Sequence, residues 1–344
     1  PVLLHVRTVK GKGYGPAERN PDKFHGVGTF CVETGEPLGA GKTSFSQVFG
    51  QTLCQLAEQD GRICAITAAM QPGTGLDGFF ERFPDRAFDV GIAEGHATAM
   101  AAGMAKQGML PVFAVYSSFF QRAYDMLIHD VALQNLHVVF CVDRAGLVGE
   151  DGETHHGVFD PAFLDTVPGM TVLCPASFEE LRQALPYALF HCTGPVAIRY
   201  PRGGEGSWRE AAPPGADVVV RPGRDLTLVT YGTLVNQVLE AANRLAADGL
   251  QAEVVKLGRI TPLDAGAVET SVKKTGRLLV AEECAAPGCV GQRLAARLGM
   301  GGISVKAFHL QNVGGQFVTH GTPDQLRRLC GLDGESLYQK AWGV

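Results

Sequence analysis

Short apolar runs alternate with helically spaced segments along most of this chain, and that alternation limits the fold more than any other feature. The runs occupy residues 63–67, 88–93, 111–116, 138–142, 171–174 and 196–200. Helical spacing fills 43–59, 95–107, 119–134 and 178–190. In the first of these Phe45, Val48, Phe49, Leu53 and Leu56 share a face, with Thr43 or Ser44 as N-cap. A strand that is apolar at every position must be covered on both faces, as in a parallel sheet with helices on either side. After a break at 201–223, which contains GGEG, APPG and PG, the alternation starts again. Strands are expected at 226–231, 252–257, 278–281 and 303–307, and helices at 234–247 and 290–298. Two further helices are expected to open at Thr261-Pro262 and Thr322-Pro323, each a cap residue followed by proline. The expected architecture is α/β: two consecutive α/β domains with mostly parallel sheets, at 42–205 and 215–344, preceded by residues 1–41.

Composition agrees with that layering and excludes several alternatives. The 344 residues exceed what one domain usually holds, at roughly 150 residues each. Hydrophobic residues make up 45% and charged ones 19%, the reverse of a disordered chain. A formal net charge of −5 argues against a nucleic-acid surface. No run of about 18 apolar residues is present to span a membrane. Nine cysteines, an odd number with no C-x-x-C, fit reduced and mostly buried thiols better than a disulfide framework or a zinc site. No signal-peptide pattern is visible, so a cytoplasmic protein is expected. The first residues, PVLLHVRTV, read as a buried strand without an initiator Met, which suggests a fragment. The polar, glycine- and proline-rich stretch 11–41 reads as a linker or functional loop.

Two nucleotide-binding patterns fail. Gly39-Ala40-Gly41-Lys42-Thr43 is similar to the end of a phosphate-binding loop, but Glu36 stands where the first glycine is needed and no apolar strand precedes it. These residues read instead as the approach to the helix at 43–59. No G-x-G-x-x-G follows a strand. Charged and aromatic residues do gather at strand ends. Glu94 lies between a strand and a helix, where it either complements the helix dipole or faces a ligand at the carboxyl edge of the sheet. Tyr116-Ser117-Ser118-Phe119-Phe120-Gln121-Arg122 begins a helix, and its aromatics are either core staples or a stacking platform. The polar loop 143–157, with Arg144, Asp151, His155 and His156, follows a buried strand. It suits anion and proton handling better than metal binding, since adjacent histidines point apart. Arg202 suits bidentate phosphate or carboxylate contacts, or structural ion pairing. Glu94, Tyr116, Arg144, His155 and Arg202 all fall at or just after strand ends, and in a parallel sheet those ends share one edge.

At these residues the chain resembles the 1-deoxy-D-xylulose-5-phosphate synthase family, thiamine-diphosphate enzymes of the transketolase superfamily. HVRTVKGKGY, PDKFHGV, FPDRAFDVGIAEGHA, VYSSFFQRAYD, HDVALQNL, DRAGLVGEDGETHHGVFD and AIRYPRG carry the resemblance. A weaker likeness continues through YGT, ITPLD, VAEE and HGTPDQLRRLCGLD. The resemblance implies a thiamine-diphosphate-binding (pyrimidine) fold at 42–205, a transketolase C-terminal-like domain at 215–344, and at 1–41 the end of a diphosphate-binding domain. It implies thiamine diphosphate and Mg2+ as cofactors. The G-D-G that opens the superfamily's diphosphate motif is absent, so the metal ligands are expected in a missing N-terminal domain and this chain alone is expected to be inactive.

By the same resemblance, Glu94 bonds the pyrimidine ring nitrogen, Phe119 stacks on that ring, and His155 and His25 act near the reacting centre. Tyr116, Arg144, Asp151, His155 and Arg202 would receive D-glyceraldehyde 3-phosphate, which is joined to pyruvate with release of CO2 to feed isoprenoid, thiamine and pyridoxal synthesis. A homodimer is implied, with neither nucleic acid nor membrane as partner. The rival readings are a split transketolase, the β-type subunit of a 2-oxoacid dehydrogenase, and a non-catalytic subunit that keeps the cofactor pocket. Two segments, 285–291 and 309–322, depart from the family pattern and are expected to lie away from the site.

Overall fold

Residues 1–21, 23–38, 43–149 and 151–344 are described by the computed structural model. The glycine-lysine segment 39–42 lies outside the described residues, as does Glu150. Residues 1–42 form one unit and 43–344 a second. In the first, helix α1 (Gly15–Arg19) adjoins an aromatic cluster in which Phe24 lies 5.4 Å from Tyr14 and 5.3 Å from Phe30. The expected buried strand at 1–9 is not found. Val2 is 96% and Leu3 95% exposed, and no neighbour among the described residues pairs with them. A strand needs a hydrogen-bonded partner, so apolar sequence alone does not make one.

Among the described residues of the second unit, twelve strands form two sheets. They are β1 (Ile63–Thr67), β2 (Ala87–Asp89), β3 (Leu110–Tyr116), β4 (Val139–Asp143), β5 (Thr171–Leu173), β6 (Val196–Arg199), β7 (Val218–Arg221), β8 (Leu226–Tyr231), β9 (Ala252–Leu257), β10 (Arg259–Thr261), β11 (Arg277–Ala281) and β12 (Ala307–Gln311). The seven-stranded sheet runs β10-β5-β6-β4-β3-β1-β2 and the five-stranded sheet β12-β11-β8-β9-β7. Every pairing is parallel except those of the edge strands β10 and β7.

Helices α2 (Phe45–Gln59), α3 (Asp77–Arg82) and α4 (Glu94–Lys106) belong to the first half. Ser44 caps α2 through a reciprocal capping box with Gln47. The continuous helix expected at 119–134 is instead α5 (Ser117–Phe120), a 3-10 turn, α6 (Tyr124–Met126) and a π-helical turn over Leu127–Ala132. These changes of pitch keep Phe120, Ala123, Leu127 and Val131 buried on one face. Then follow α7 (Asp160–Asp165), α8 (Phe178–Phe190), α9 (Val235–Ala247), α10 (Gly266–Thr275), α11 (Val290–Met300), α12 (Pro323–Leu329) and α13 (Gly334–Trp342).

Three further expectations are corrected. The strand at 88–93 stops at Asp89, whose Oδ1 accepts the Ala69 and Gly91 amides at 2.8 and 2.9 Å as Gly91 turns to φ +70°. Thr261-Pro262 does not open a helix. Thr261 ends β10 and pairs with Val172 of β5, and α10 begins at Gly266. The strand expected at 303–307 lies at Ala307–Gln311, because the Ile303 amide closes the end of α11 by bonding the Leu298 carbonyl.

One apolar cluster contains Ile66, Phe113 and Phe140 of the first sheet together with Val229, Val255 and Leu278 of the second. A buried Lys256–Glu180 pair at 2.9 Å joins β9 to α8. No helix of the described residues is long and apolar enough to cross a membrane. The nine cysteines are free thiols, six of them buried.

Candidate active site

In the first sheet β1 has β2 on one side and β3 on the other, so chain order reverses there. Crevices at the carboxyl ends of such reversals are where ligands of open parallel sheets bind. Gly73 follows β1 and Tyr116 ends β3. A Cβ at Gly73 would lie 1.8 Å from the Tyr116 hydroxyl, so only glycine permits this approach. Arg144 follows β4 with φ +58°, and its guanidinium carbon lies 3.9 Å from the Tyr116 ring centroid.

Arg144 is held firmly. Its Nη1 donates to the Gly73 carbonyl at 2.7 Å and to Asp143 Oδ1 at 2.9 Å, and its backbone amide donates to Asp143 Oδ1 at 2.7 Å. Asp143 is fully buried, and Ser46 of α2 donates to its Oδ2 at 2.6 Å. Burial raises the Asp143 carboxyl pKa, opposed by Arg144 and Ser46. Burial likewise raises the Tyr116 phenol, with the charges of Arg144 and Arg202 opposing and those of Asp143 and Asp151 adding.

Glu94, the first residue of α4, is 3% exposed and accepts from Arg122 Nη1 at 2.6 Å. The Arg122 guanidinium lies 4.9 Å from the Phe119 centroid. Phe119 in turn stacks near Tyr116 at 5.7 Å and meets the His155 ring edge-on at 5.1 Å. The Thr154 hydroxyl and His155 Nδ1 are 2.8 Å apart. On the outer side Arg202 Nη1 donates to Asp151 Oδ2 at 3.0 Å and to the Val148 carbonyl at 3.4 Å.

The structure therefore brings together Glu94, Phe119, Tyr116, Arg144 and His155 in one run of contacts, with the Arg202–Asp151 pair close enough to act on the Tyr116 hydroxyl. His25 belongs to the other unit and is exposed there. Sequence reasoning gave no role to Arg122, Asp143, Ser46 or Gly73. Arg122 had a usable signal, since it follows Phe119 by three residues, the spacing of neighbours on a helix face. Ser46 had none, because its partner is 97 positions away.

The two atypical C-terminal segments are not remote from this site. The Gly321 amide donates to the Gly149 carbonyl at 3.4 Å, His156 Nε2 lies 3.1 Å from the Thr319 carbonyl, and the Ala285 amide donates to the Val158 carbonyl at 2.8 Å. Sequence distance concealed these contacts.

The residues present fit the pyrimidine end of thiamine diphosphate. An aminopyrimidine needs a carboxyl group for a ring nitrogen and an apolar face for its ring. Glu94 and the half-buried Phe119 offer both, and the planar Arg122 guanidinium touches the two at once. Among the described residues no group of three or more His, Cys, Asp or Glu side chains is placed to hold a metal ion.

The chain matches the transketolase pyrimidine binding domain over residues 41–204 and the transketolase C-terminal domain over 215–337. It is 49% identical over 340 residues to the 1-deoxy-D-xylulose-5-phosphate synthase of Desulforudis audaxviator, covering 96% of this chain and 53% of that protein. Against 1-deoxy-D-xylulose-5-phosphate synthase 1 of Geobacter sulfurreducens the identity is 47%, over 97% of this chain and 53% of the relative. The Chlorobaculum tepidum enzyme of that name is 48% identical over 99% of this chain and 55% of its own length. This chain thus spans about half the length of the curated relatives it matches. A solved structure titled "Split gene transketolase, inactive beta4 tetramer" superposes with a TM-score of 0.77 at 28% identity, covering 87% of this chain and 98% of that one. Two domain matches in series and close similarity along nearly the whole chain lead to one conclusion: the chain belongs to the 1-deoxy-D-xylulose-5-phosphate synthase family of the transketolase superfamily.

Proposed function

We propose that this chain is the pyrimidine-binding and aldehyde-phosphate-binding half of an enzyme that joins pyruvate to D-glyceraldehyde 3-phosphate, giving 1-deoxy-D-xylulose 5-phosphate and CO2. The observation that carries this reading is the run of contacts from Glu94 through Arg122 and Phe119 to His155, with Arg144 and Arg202 beside it. Thiamine diphosphate, when bound, supplies a nucleophilic carbon and an electron sink for loss of CO2 from a 2-oxo acid. Glu94 would hold the aminopyrimidine through a ring nitrogen, in a buried setting that strengthens the bond. Phe119 would cover the ring. Arg144 and Arg202 present guanidinium forks suited to a phosphate, one fixed in place and one reaching from solvent. His155, beside Phe119, would give a proton to the aldehyde oxygen as that oxygen becomes a hydroxyl. Tyr116 and Asp151 would orient the aldehyde phosphate between the two arginines.

The diphosphate and its Mg2+ would fall to the diphosphate-binding domain that the family resemblance implies, and the same resemblance gives His25 a role near the reacting centre. We place the assembly, a homodimer, in the cytoplasm, and divide the chain beyond residue 41 into domains at 42–205 and 215–344. The structural likeness to a split-gene transketolase, described as inactive in its own tetramer, supports a half that does not turn over alone. It also favours the second reading, a split transketolase, which would move a ketol group without releasing CO2.

Purified chain, given pyruvate, D-glyceraldehyde 3-phosphate, thiamine diphosphate and Mg2+, is expected to form no 1-deoxy-D-xylulose 5-phosphate. Adding a diphosphate-binding half from a relative is expected to start product and CO2 formation together. Turnover by the chain alone would mean that it holds diphosphate and metal itself. Ketol transfer without CO2 in the combined assay would replace the synthase reading with the transketolase one.

A further inference from the structure

We propose that the C-terminal domain clamps the loop carrying Arg144, Asp151 and His155, and that His156 and Glu283 are the positioning residues of that clamp. The proposal rests on the functional reading above, which gives this loop its substrate. The loop leaves β4 at Asp143 and ends at α7. Near its base Gly146 and Gly157 exchange amide bonds of 2.7 and 2.9 Å. Beyond that neck its regular structure among the described residues is one 3-10 turn, Gly152–Thr154, and Gly146, Gly149 and Gly152 all have positive φ. Such a segment does not fix its own side chains. A site needs them fixed by packing and hydrogen bonds from behind.

The second domain supplies those bonds. Glu283, just past β11, accepts the Leu147 amide on Oε2 at 3.4 Å and Arg327 Nε of α12 on Oε1 at 2.5 Å. A Cβ at Gly146 would come within 2.3 Å of the same carboxylate, so the loop is seated against it. His156 accepts the Val148 amide on Nδ1 at 3.2 Å, which leaves Nε2 to donate to the Thr319 carbonyl at 3.1 Å. Leu147 and Val158 of the loop pack with Val318 and Leu326 of the C-terminal domain. The adjacent histidines thus divide the work. His155 meets Phe119 in the site, and His156 ties the loop down behind it.

The test is hydrogen exchange on the full chain, together with calorimetric binding of D-glyceraldehyde 3-phosphate. In His156→Leu the amides of Leu147 and Val148 are expected to exchange about tenfold faster, with β3 and β4 amides unchanged. Affinity for the aldehyde phosphate should fall by about tenfold, because a small displacement of Asp151 and His155 suffices. His156→Gln, which keeps one acceptor and one donor, should restore both. Glu283→Gln provides the same readouts should the leucine variant not fold. Unchanged loop exchange overturns the clamp. Faster exchange with unchanged affinity, or a glutamine variant no better than leucine, overturns its positioning role. Failure of the wild-type chain to bind the aldehyde phosphate would sink the functional reading, while exchange would still decide whether the clamp exists.

Discussion

The two sheets follow the same plan and use it oppositely. Each has a reversal of strand order, between β1 and β3 in the first and between β8 and β11 in the second. In the first, Gly73 and Tyr116 line the crevice, and part of its polar rim stays open: the side chains of Arg122, Arg202 and Asp151 all reach solvent, while Glu94 and Asp143 are buried. In the second, the crevice is filled by the chain itself. Tyr231, ending β8, donates to Glu282 Oε2 at 3.1 Å, and Glu282 also accepts the Val290 and Gly291 amides at 2.9 and 2.8 Å at the start of α11. A helix N-terminus over a parallel sheet is an anion site, and here a buried carboxylate of the protein occupies it. The fold offers both sites. Side chains decide which one stays open.

That comparison is broken most severely at its two carboxylates. Glu94→Gln is expected to lower turnover of the active assembly at least ~100-fold, since a neutral amide cannot share a proton with a ring nitrogen. Its urea midpoint should hardly move, because the amide oxygen still accepts from Arg122. Near-normal turnover would remove Glu94 from the chemistry. Glu282→Gln should do the reverse. Glutamine has one acceptor oxygen for four donors, the Cys284 thiol being the fourth, so stability should drop by about 2 kcal/mol, read by urea denaturation, with aldehyde-phosphate affinity little changed. A variant as stable as wild type would mean that the second crevice is not sealed by that carboxylate.

How much of this was legible depended on range. Ser44 and Thr322 were readable as caps because their partners lie three residues away. Thr261-Pro262 carries the same local signature as Thr322-Pro323, yet Thr261 pairs with Val172 across the molecule, and no local rule shows that. The site followed the same pattern. Glu94, Tyr116 and Arg144 stood out because strand ends in a parallel sheet share an edge. The Ser46–Asp143 bond, the Arg122 bridge and the reach of Thr319 to His156 needed coordinates, since each joins segments apart in sequence.

A smaller effect separates the two arginines from the rest of the edge. Arg202→Ala should weaken D-glyceraldehyde 3-phosphate binding about tenfold, or ~1.4 kcal/mol, with no change toward pyruvate in the active assembly. Calorimetry and steady-state kinetics check the two halves. Equal losses for both substrates would make Arg202 a structural residue paired to Asp151 and nothing more.

The smallest expected effect lies where the two regions join. Asp217 precedes β7, and its Oδ1 accepts the amide of Gly258, the residue at which the chain passes from β9 of one sheet to β10 of the other. Its Oδ2 is buried without a partner. Burial pushes this carboxyl from 3.8 up to about 6, the charge of Asp264 adding to the rise while the Gly258 amide and Arg259 oppose it. Because the folded state favours the protonated form, the stability this group contributes is fully present below the unfolded value and is lost as pH rises through about 6. Asp217→Asn keeps the Oδ1 acceptor and carries no charge at any pH. It should therefore stabilise the chain at pH 7.5 by ~1 kcal/mol, a figure reduced for partial exposure, and have almost no effect near pH 4. Urea midpoints of both proteins measured across pH 4 to 8 decide it. Parallel curves would mean that the buried charge costs the joint nothing.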